Sequence, residues 1–185
     1  MTLINNLQSL KTLTNLDSIT LGAGCFWCVE GIFSRVNGVK HTQIGYGGGE
    51  SADPTYTSVS SSPSGHAEIT IVTFDTQETS LSKILTVFFA MHDPNKSYVI
   101  NDKKGELYRS IILYKSEEQK IQILKFIDKY QKQESMYINT EILPFKNFKL
   151  ADKKYQNYYS SNPEKPFCKN VIAPKLGKLI KKGIL

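Results

Sequence analysis

Three short runs of β-branched and alternating residues set the narrowest bounds on the fold: 18–23 (SITLGA), 68–74 (EITIVTF) and 110–114 (SIILY). Each reads as a strand. Between them the apolar spacing switches to that of helices. Phe26, Val29, Ile32, Phe33 and Val36 give one helical stripe over 25–36, with Gly38 as its stop. Leu81, Ile84, Leu85, Phe88 and Phe89 give a second that ends near His92-Asp93-Pro94. Ser116 with Gln119 three residues on predicts a capping box, and Ile121, Leu124 and Ile127 the buried face of the helix it opens. Residues 138–143 are expected as a strand and 150–160 as a short tyrosine-rich helix. The Gly-, Ser-, Pro- and Tyr-rich stretch 45–64 reads as a loop of a length that is usually functional. The expected fold is therefore α+β, a single domain with one mixed β-sheet and packed helices, a two-layer sandwich with long loops. Residues 1–17 are set apart as an N-terminal extension, 18–175 as the folded body and 176–185 as a basic C-terminal tail.

Composition removes several classes of function. Three cysteines in 185 residues are too few, and odd in number, for a disulfide-stapled scaffold. At least one thiol is free, metal-bound or reactive. The net charge of +6 comes almost wholly from lysine, since Arg35 and Arg109 are the only arginines. Nucleic-acid readers favour arginine forks, so no nucleic-acid partner is expected. No apolar run approaches the ~20 residues of a membrane span, and 1–17 lacks the charged start and continuous apolar core of a signal peptide. A soluble, cytoplasmic protein is expected. Gly45-Tyr46-Gly47-Gly48-Gly49 has neither the spacing nor the following helix of a phosphate-binding loop.

The chemistry points to Gly24-Cys25-Phe26-Trp27-Cys28. Cys25 stands where a strand gives way through glycine to a helix. Unpaired N–H groups of a first helical turn favour a negative charge, so this placement predicts a lowered thiol pKa and a reactive thiolate. Cys28 completes a CxxC, which fits a redox dithiol, half a zinc site, or a small residue packed beneath the helix. A zinc module would draw on Cys25, Cys28, Cys168 and a histidine. A cysteine hydrolase would pair Cys25 with His66. For His66 and His92, support of loop geometry is the expected role.

Gly-Cys-Phe-Trp opening a helix is followed by Gly45-Tyr46-Gly47-Gly48, Pro54-Thr55-Tyr56 and Gly65-His66-Ala67-Glu68. His92-Asp93-Pro94, Tyr108-Arg109-Ser110, Ser116-Glu117-Glu118-Gln119, Asn162-Pro163 and Phe167-Cys168 come next. Together, in this order from about 19 to 175, they resemble the A-type peptide methionine sulfoxide reductases. The resemblance implies thiol-dependent reduction of methionine-S-sulfoxide, free and in oxidised proteins, without a bound cofactor. It makes Cys25 the nucleophile and Glu68 the acid toward the sulfoxide oxygen, with a pKa raised by burial. It further makes Tyr46 and Tyr108 the phenols that steady that oxygen, and Phe26 and Trp27 the walls around the methyl group. Attack leaves a sulfenic acid on Cys25. Cys168, in proline-rich sequence suited to a swinging arm, then resolves it to a disulfide that thioredoxin reduces. Cys28 is the alternative resolving thiol, although a CxxC sharing one helical turn must distort that turn to close. The chain departs from the family in several places. An aspartate expected before the second tyrosine falls on Lys103 by gapless counting, with Asp102 adjacent and assigned to substrate binding. Leu107 stands where glutamine is common, and Ser60 where a further cysteine often occurs. The 151–156 segment follows the family's histidine-bearing version only loosely.

Overall fold

Leu16–Ala23 forms β1, whose residues from Ile19 onward are all buried. It shares the middle of a six-stranded sheet with β3 (Ala67–Asp75), to which it pairs antiparallel. The computed structural model describes residues 15–50, 54, 57, 59, 64–95 and 106–185. Within these, the remaining strands are β2 (Val39–Gly47), β4 (Ser110–Tyr114), β5 (Glu141–Pro144) and β6 (Lys149–Leu150), in the order β5-β4-β1-β3-β2-β6. Only β4 and β5 run parallel; the other pairings are antiparallel. The α-helices that pack with the sheet are α1 (Phe26–Phe33), α2 (Leu81–Ala90), α3 (Glu117–Glu134), α4 (Tyr158–Ser161) and α5 (Ala173–Lys181). A mixed sheet carrying helices is the α+β fold that the alternating pattern implies.

Alternation along the strands divides the apolar residues between two faces. Ile19, Leu21, Val72, Phe74 and Ile112 meet α1, α2 and α3 in the main core, through Val29, Ile32, Phe33, Ile84, Leu85, Phe88, Ile123 and Ile127. Ala67, Ile69, Ile111 and Leu113 form a smaller cluster on the opposite face, with Phe148 against it.

Several elements differ from expectation. Gly45, Tyr46 and Gly47 are the end of β2, not loop. The glycine there is a packing requirement, since a Cβ on Gly45 would stand 2.3 Å from the Lys149 carbonyl oxygen across the β2–β6 pair. On α3, Ile121 and Leu124 are exposed, and the buried stripe runs through Gln119, Ile123 and Ile127. Ser116 caps that helix by accepting from the Gln119 N–H at 3.2 Å, but the Gln119 side chain turns to the Lys115 N–H and the Ser18 carbonyl. The tyrosine-rich segment is not one helix. Asn157, at φ +55°, separates a short 3₁₀ turn (Lys153–Tyr155) from α4. After the proline-rich stretch, Cys168–Ile172 forms a π-helical turn running into α5, so Cys168 sits in packed helix. Part of the lysine-rich end is helical as well, and its Leu179 is buried in the main core.

Candidate active site

Gly24, at φ +86°, turns the chain from β1 into α1 and leaves Cys25 as the N-cap residue, with extended backbone. Beneath it, Glu68 and Tyr46 are direct cross-strand partners on β3 and β2, so both side chains rise from the same sheet face. Glu68 is 3% exposed, and its Oε2 accepts the Phe26 backbone N–H at 2.9 Å. This bond joins the acid to one of the amides that the start of a helix leaves unpaired. Cys25, Phe26, Trp27, Glu68, Tyr108 and Tyr155 line one cavity of about 300 Å³. Tyr46 lies behind it, 2% exposed, its ring 5.8 Å from that of Phe26. It borders an adjoining cavity of about 270 Å³ that shares Tyr155 as a wall.

Burial and the nearby Cys25 sulfur push the Glu68 carboxyl up to about 8, against the opposing pull of the Phe26 N–H. The thiols behave as a coupled pair. Cys25 is raised well above the ordinary thiol value, first by its hydrogen bond with Cys28 and second by burial. The N–H groups of Trp27 and Cys28 favour its anion but are outweighed, so helix placement alone does not make the resting Cys25 a thiolate. Cys28 moves down, chiefly because the Cys25 hydrogen bond stabilises its thiolate. Of the two, Cys28 is the thiol that gives up its proton more readily. Since Cys25 is the N-cap and lies outside the helix proper, the turn need not unwind for the two sulfurs to meet. Cys168 is fully buried and packs with Cys28 and Ile172 in a cluster that Cys25 and Trp27 flank. All three thiols are reduced and share this cluster.

The C-terminal segment supplies side chains that sequence reasoning missed. The Tyr158 ring stacks on Trp27 at 3.9 Å, Phe167 meets the indole edge-on, and the Trp27 Nε1–H donates to the Tyr155 carbonyl at 3.1 Å. Gln156 brackets Ile44 on β2, accepting its N–H at 3.0 Å and donating to its carbonyl at 2.9 Å. Glu30, 2% exposed on α1, accepts the N–H groups of Asn157 and Tyr158 at 2.8 and 3.0 Å, and burial raises its pKa. Its signal was present in the sequence: a carboxylate four residues after Phe26 falls inside the buried stripe. Arg109, just after Tyr108, donates to the Gly65 and Glu106 carbonyls at 2.8 and 2.7 Å and pairs with Glu141 at 2.9 Å. It ties the Tyr108 turn to the entry of β3.

Neither histidine lines the Cys25 cavity. His92 bridges the Phe88 carbonyl (2.7 Å) and the Ser110 hydroxyl (2.8 Å), which joins α2 to β4, and burial holds it down at about 4. His66 is buried beside Gly49, so the hydrolase pairing with Cys25 gains no geometric support. Among the described residues no group of three or more His, Cys, Asp and Glu side chains stands where it would hold a metal ion. Nor is any described helix long and apolar enough to cross a membrane. Asp102, Lys103, Ser60 and most of the N-terminal extension lie outside the described residues.

A sequence profile of the family described as "Peptide methionine sulfoxide reductase" matches residues 17–184. A relative of that name from Trichodesmium erythraeum is 43% identical over 168 residues, covering 90% of this chain and 95% of its own. Another, from Nautilia profundicola, is 41% identical over 160 residues, 86% of this chain and 92% of its own. Among solved structures, reduced Mxr1 from Saccharomyces cerevisiae superposes with a TM-score of 0.75 at 28% identity, covering 84% of this chain and 90% of that one. With the profile spanning nearly the whole fold and relatives above 40% identity over most of their length, the chain belongs to the peptide methionine sulfoxide reductase family.

Proposed function

We propose how this site carries out its family's reaction. The chain is an oxidoreductase that reduces methionine sulfoxide to methionine, and Cys25 is the atom donor's partner in that step: its sulfur attacks the sulfoxide sulfur. The observation that carries this reading is the cavity in which the Cys25 thiol, a buried acid and an aromatic wall converge. At neutral pH a carboxyl with a pKa of about 8 keeps its proton. Glu68 can therefore give that proton to the sulfoxide oxygen as the S–O bond weakens. Tyr108, and Tyr46 behind it, steady the oxygen as charge develops. Phe26 and Trp27 enclose the methyl group. Loss of the Cys25 proton turns its sulfur into the nucleophile.

The step balances as one thiol plus one sulfoxide giving a sulfenic acid on Cys25 and methionine. A second thiol then displaces water to form a disulfide, and an external dithiol reduces it by exchange. Cys168 is the resolving thiol. Its place beside Cys28, within the cluster that Cys25 flanks, supports this and shortens the movement it must make. The hydrogen-bonded contact between Cys25 and Cys28 favours a second reading, in which Cys28 forms the first disulfide. Thioredoxin is the proposed reductant; yeast Mxr1 has been captured in complex with Trx2. The remaining features of the proposal are specificity for the S epimer, free and protein-bound substrates, Asp102 as a substrate contact, and a cytoplasmic location.

A single turnover without reductant tests the scheme. One methionine per chain should form as two of the three thiols disappear. Cys168→Ser should keep dithiothreitol-driven turnover and lose most of the thioredoxin-driven rate. Full thioredoxin activity in Cys168→Ser, with its loss in Cys28→Ser, would transfer the resolving role to Cys28.

A further inference from the structure

The charge of this chain is concentrated at one end. Residues 149–185 hold nine of the 23 cations, all lysines, and only two of the 17 acids, Asp152 and Glu164, a balance of +7. Residues 1–148 carry the other 14 cations against 15 acids, a balance of −1. The basic segment is the one that folds over Cys25: Tyr155 lines its cavity, Tyr158 stacks on Trp27, and Cys168 packs on Cys28.

Two of its lysines sit on the aromatic wall itself. The Lys154 ammonium lies 4.9 Å from the centre of the Tyr155 ring, and that of Lys165 lies 5.0 Å from the centre of the Tyr158 ring. Lys154 also lines the adjoining cavity with Lys149, Tyr46 and Tyr155. The acid facing it there, Asp152, is 3.6 Å away with both partners largely exposed, so that pair leaves most of the field intact. A chain entering the Cys25 cavity by one side chain keeps its backbone outside. Its neighbouring residues advance by roughly 3.3–3.6 Å each, well inside the ~10 Å over which exposed charges act at moderate salt.

We propose that these lysines form a collar that selects, among oxidised methionines, those flanked by aspartate or glutamate in a peptide segment. The inference rests on the site reading above and adds the class of substrate. Free methionine sulfoxide, with no net charge, gains nothing from the collar. An acidic segment gains both steered encounter and contact with the two ring-mounted ammonium groups.

The test is kcat/KM, with dithiothreitol as reductant, for three peptides of equal length whose methionine sulfoxide is flanked by aspartates, serines or lysines. At an ionic strength of about 0.01 M the aspartate peptide should exceed the serine peptide by roughly 3–10-fold, with the lysine peptide slowest. The differences should collapse at about 1 M salt. In the double variant Lys154→Glu, Lys165→Glu the ratio of acidic to basic peptide should invert, a result that general loss of activity cannot produce. Equal kcat/KM for the three peptides at low salt, or a ratio untouched by the double variant, would overturn the proposal. A charge effect seen only when thioredoxin replaces dithiothreitol would also overturn it, assigning the collar to the protein reductant. Free methionine sulfoxide, run alongside, separates the two levels. No turnover of it or of any of the three peptides would defeat the reading of the site itself. Turnover without discrimination among the peptides would defeat the collar alone.

Discussion

Replacing Glu68 by glutamine removes an acidic proton while keeping the side chain's shape, and the structure gives two magnitudes for the result. At a pKa of about 8, roughly nine-tenths of the native sites are protonated at pH 7. A positioned acid contributes roughly 100-fold or more, so single-turnover methionine formation should slow by about that factor. The native rate should also lose its acid form above about pH 8, and the variant should lack this decline. Stability should move the other way. An acid ordinarily titrating at 4.5 but held at about 8 in the fold stabilises only while protonated, and its contribution disappears as pH rises from 4.5 through 8. At pH 7 ionisation is resisted over about 2.5 pH units, a cost on the order of 3 kcal/mol. Glu68→Gln should recover about 1–3 kcal/mol of it in urea unfolding at pH 7, and the gain should shrink toward zero near pH 4.5. A rate within threefold of native with the decline near pH 8 intact would refute Glu68 as the acid. A destabilised variant at pH 7 would show that the native carboxyl is ionised there.

His92 should report its burial through acid sensitivity. Its pKa is depressed from 6.5 to about 4, so its stabilisation is complete above 6.5 and is lost as pH falls toward 4. His92→Asn should flatten the stability profile across that window; an unchanged profile would refute the assignment. Glu30→Ala should cost about 2–4 kcal/mol in urea unfolding, because it strips the partner from two backbone N–H groups that anchor the C-terminal segment. Its thioredoxin-driven turnover should fall more than its dithiothreitol-driven turnover, since Cys168 rides on that segment. Trp27→Ala should raise KM for methionine sulfoxide at least tenfold by opening the cavity wall and releasing the Tyr158 ring. An unchanged KM would remove the indole from substrate binding.

What the sequence made legible followed from local periodicity. β1, β3, β4 and α1 to α3 came from alternation or helical spacing, and Cys25 from its place at the start of a helix; Phe26, Trp27 and Glu68 came from the family resemblance, and all four line one cavity. The failures lie where tertiary contacts override local rules. The end of β2 reads as loop because glycines dominate it, yet they are needed where the β6 backbone passes close by. α3 carries apolar residues around much of its circumference, so periodicity could not choose between Ile121 and Ile123. Tyr155, Gln156 and Tyr158 occupy segments too short and irregular to show a period, and only the fold brings them to Trp27. The Cys25 pKa is raised first by the neighbouring Cys28 sulfur and second by burial, neither of which helix placement alone weighs.

The central claim is that Cys25 takes the oxygen of one sulfoxide epimer inside this cavity. Turnover of the two separated epimers of a methionine sulfoxide substrate with dithiothreitol tests it, for the native chain and for Cys25→Ser. The account predicts reduction of the S epimer alone by the native chain and none by the variant. Equal rates on both epimers, or turnover that survives Cys25→Ser, would contradict it.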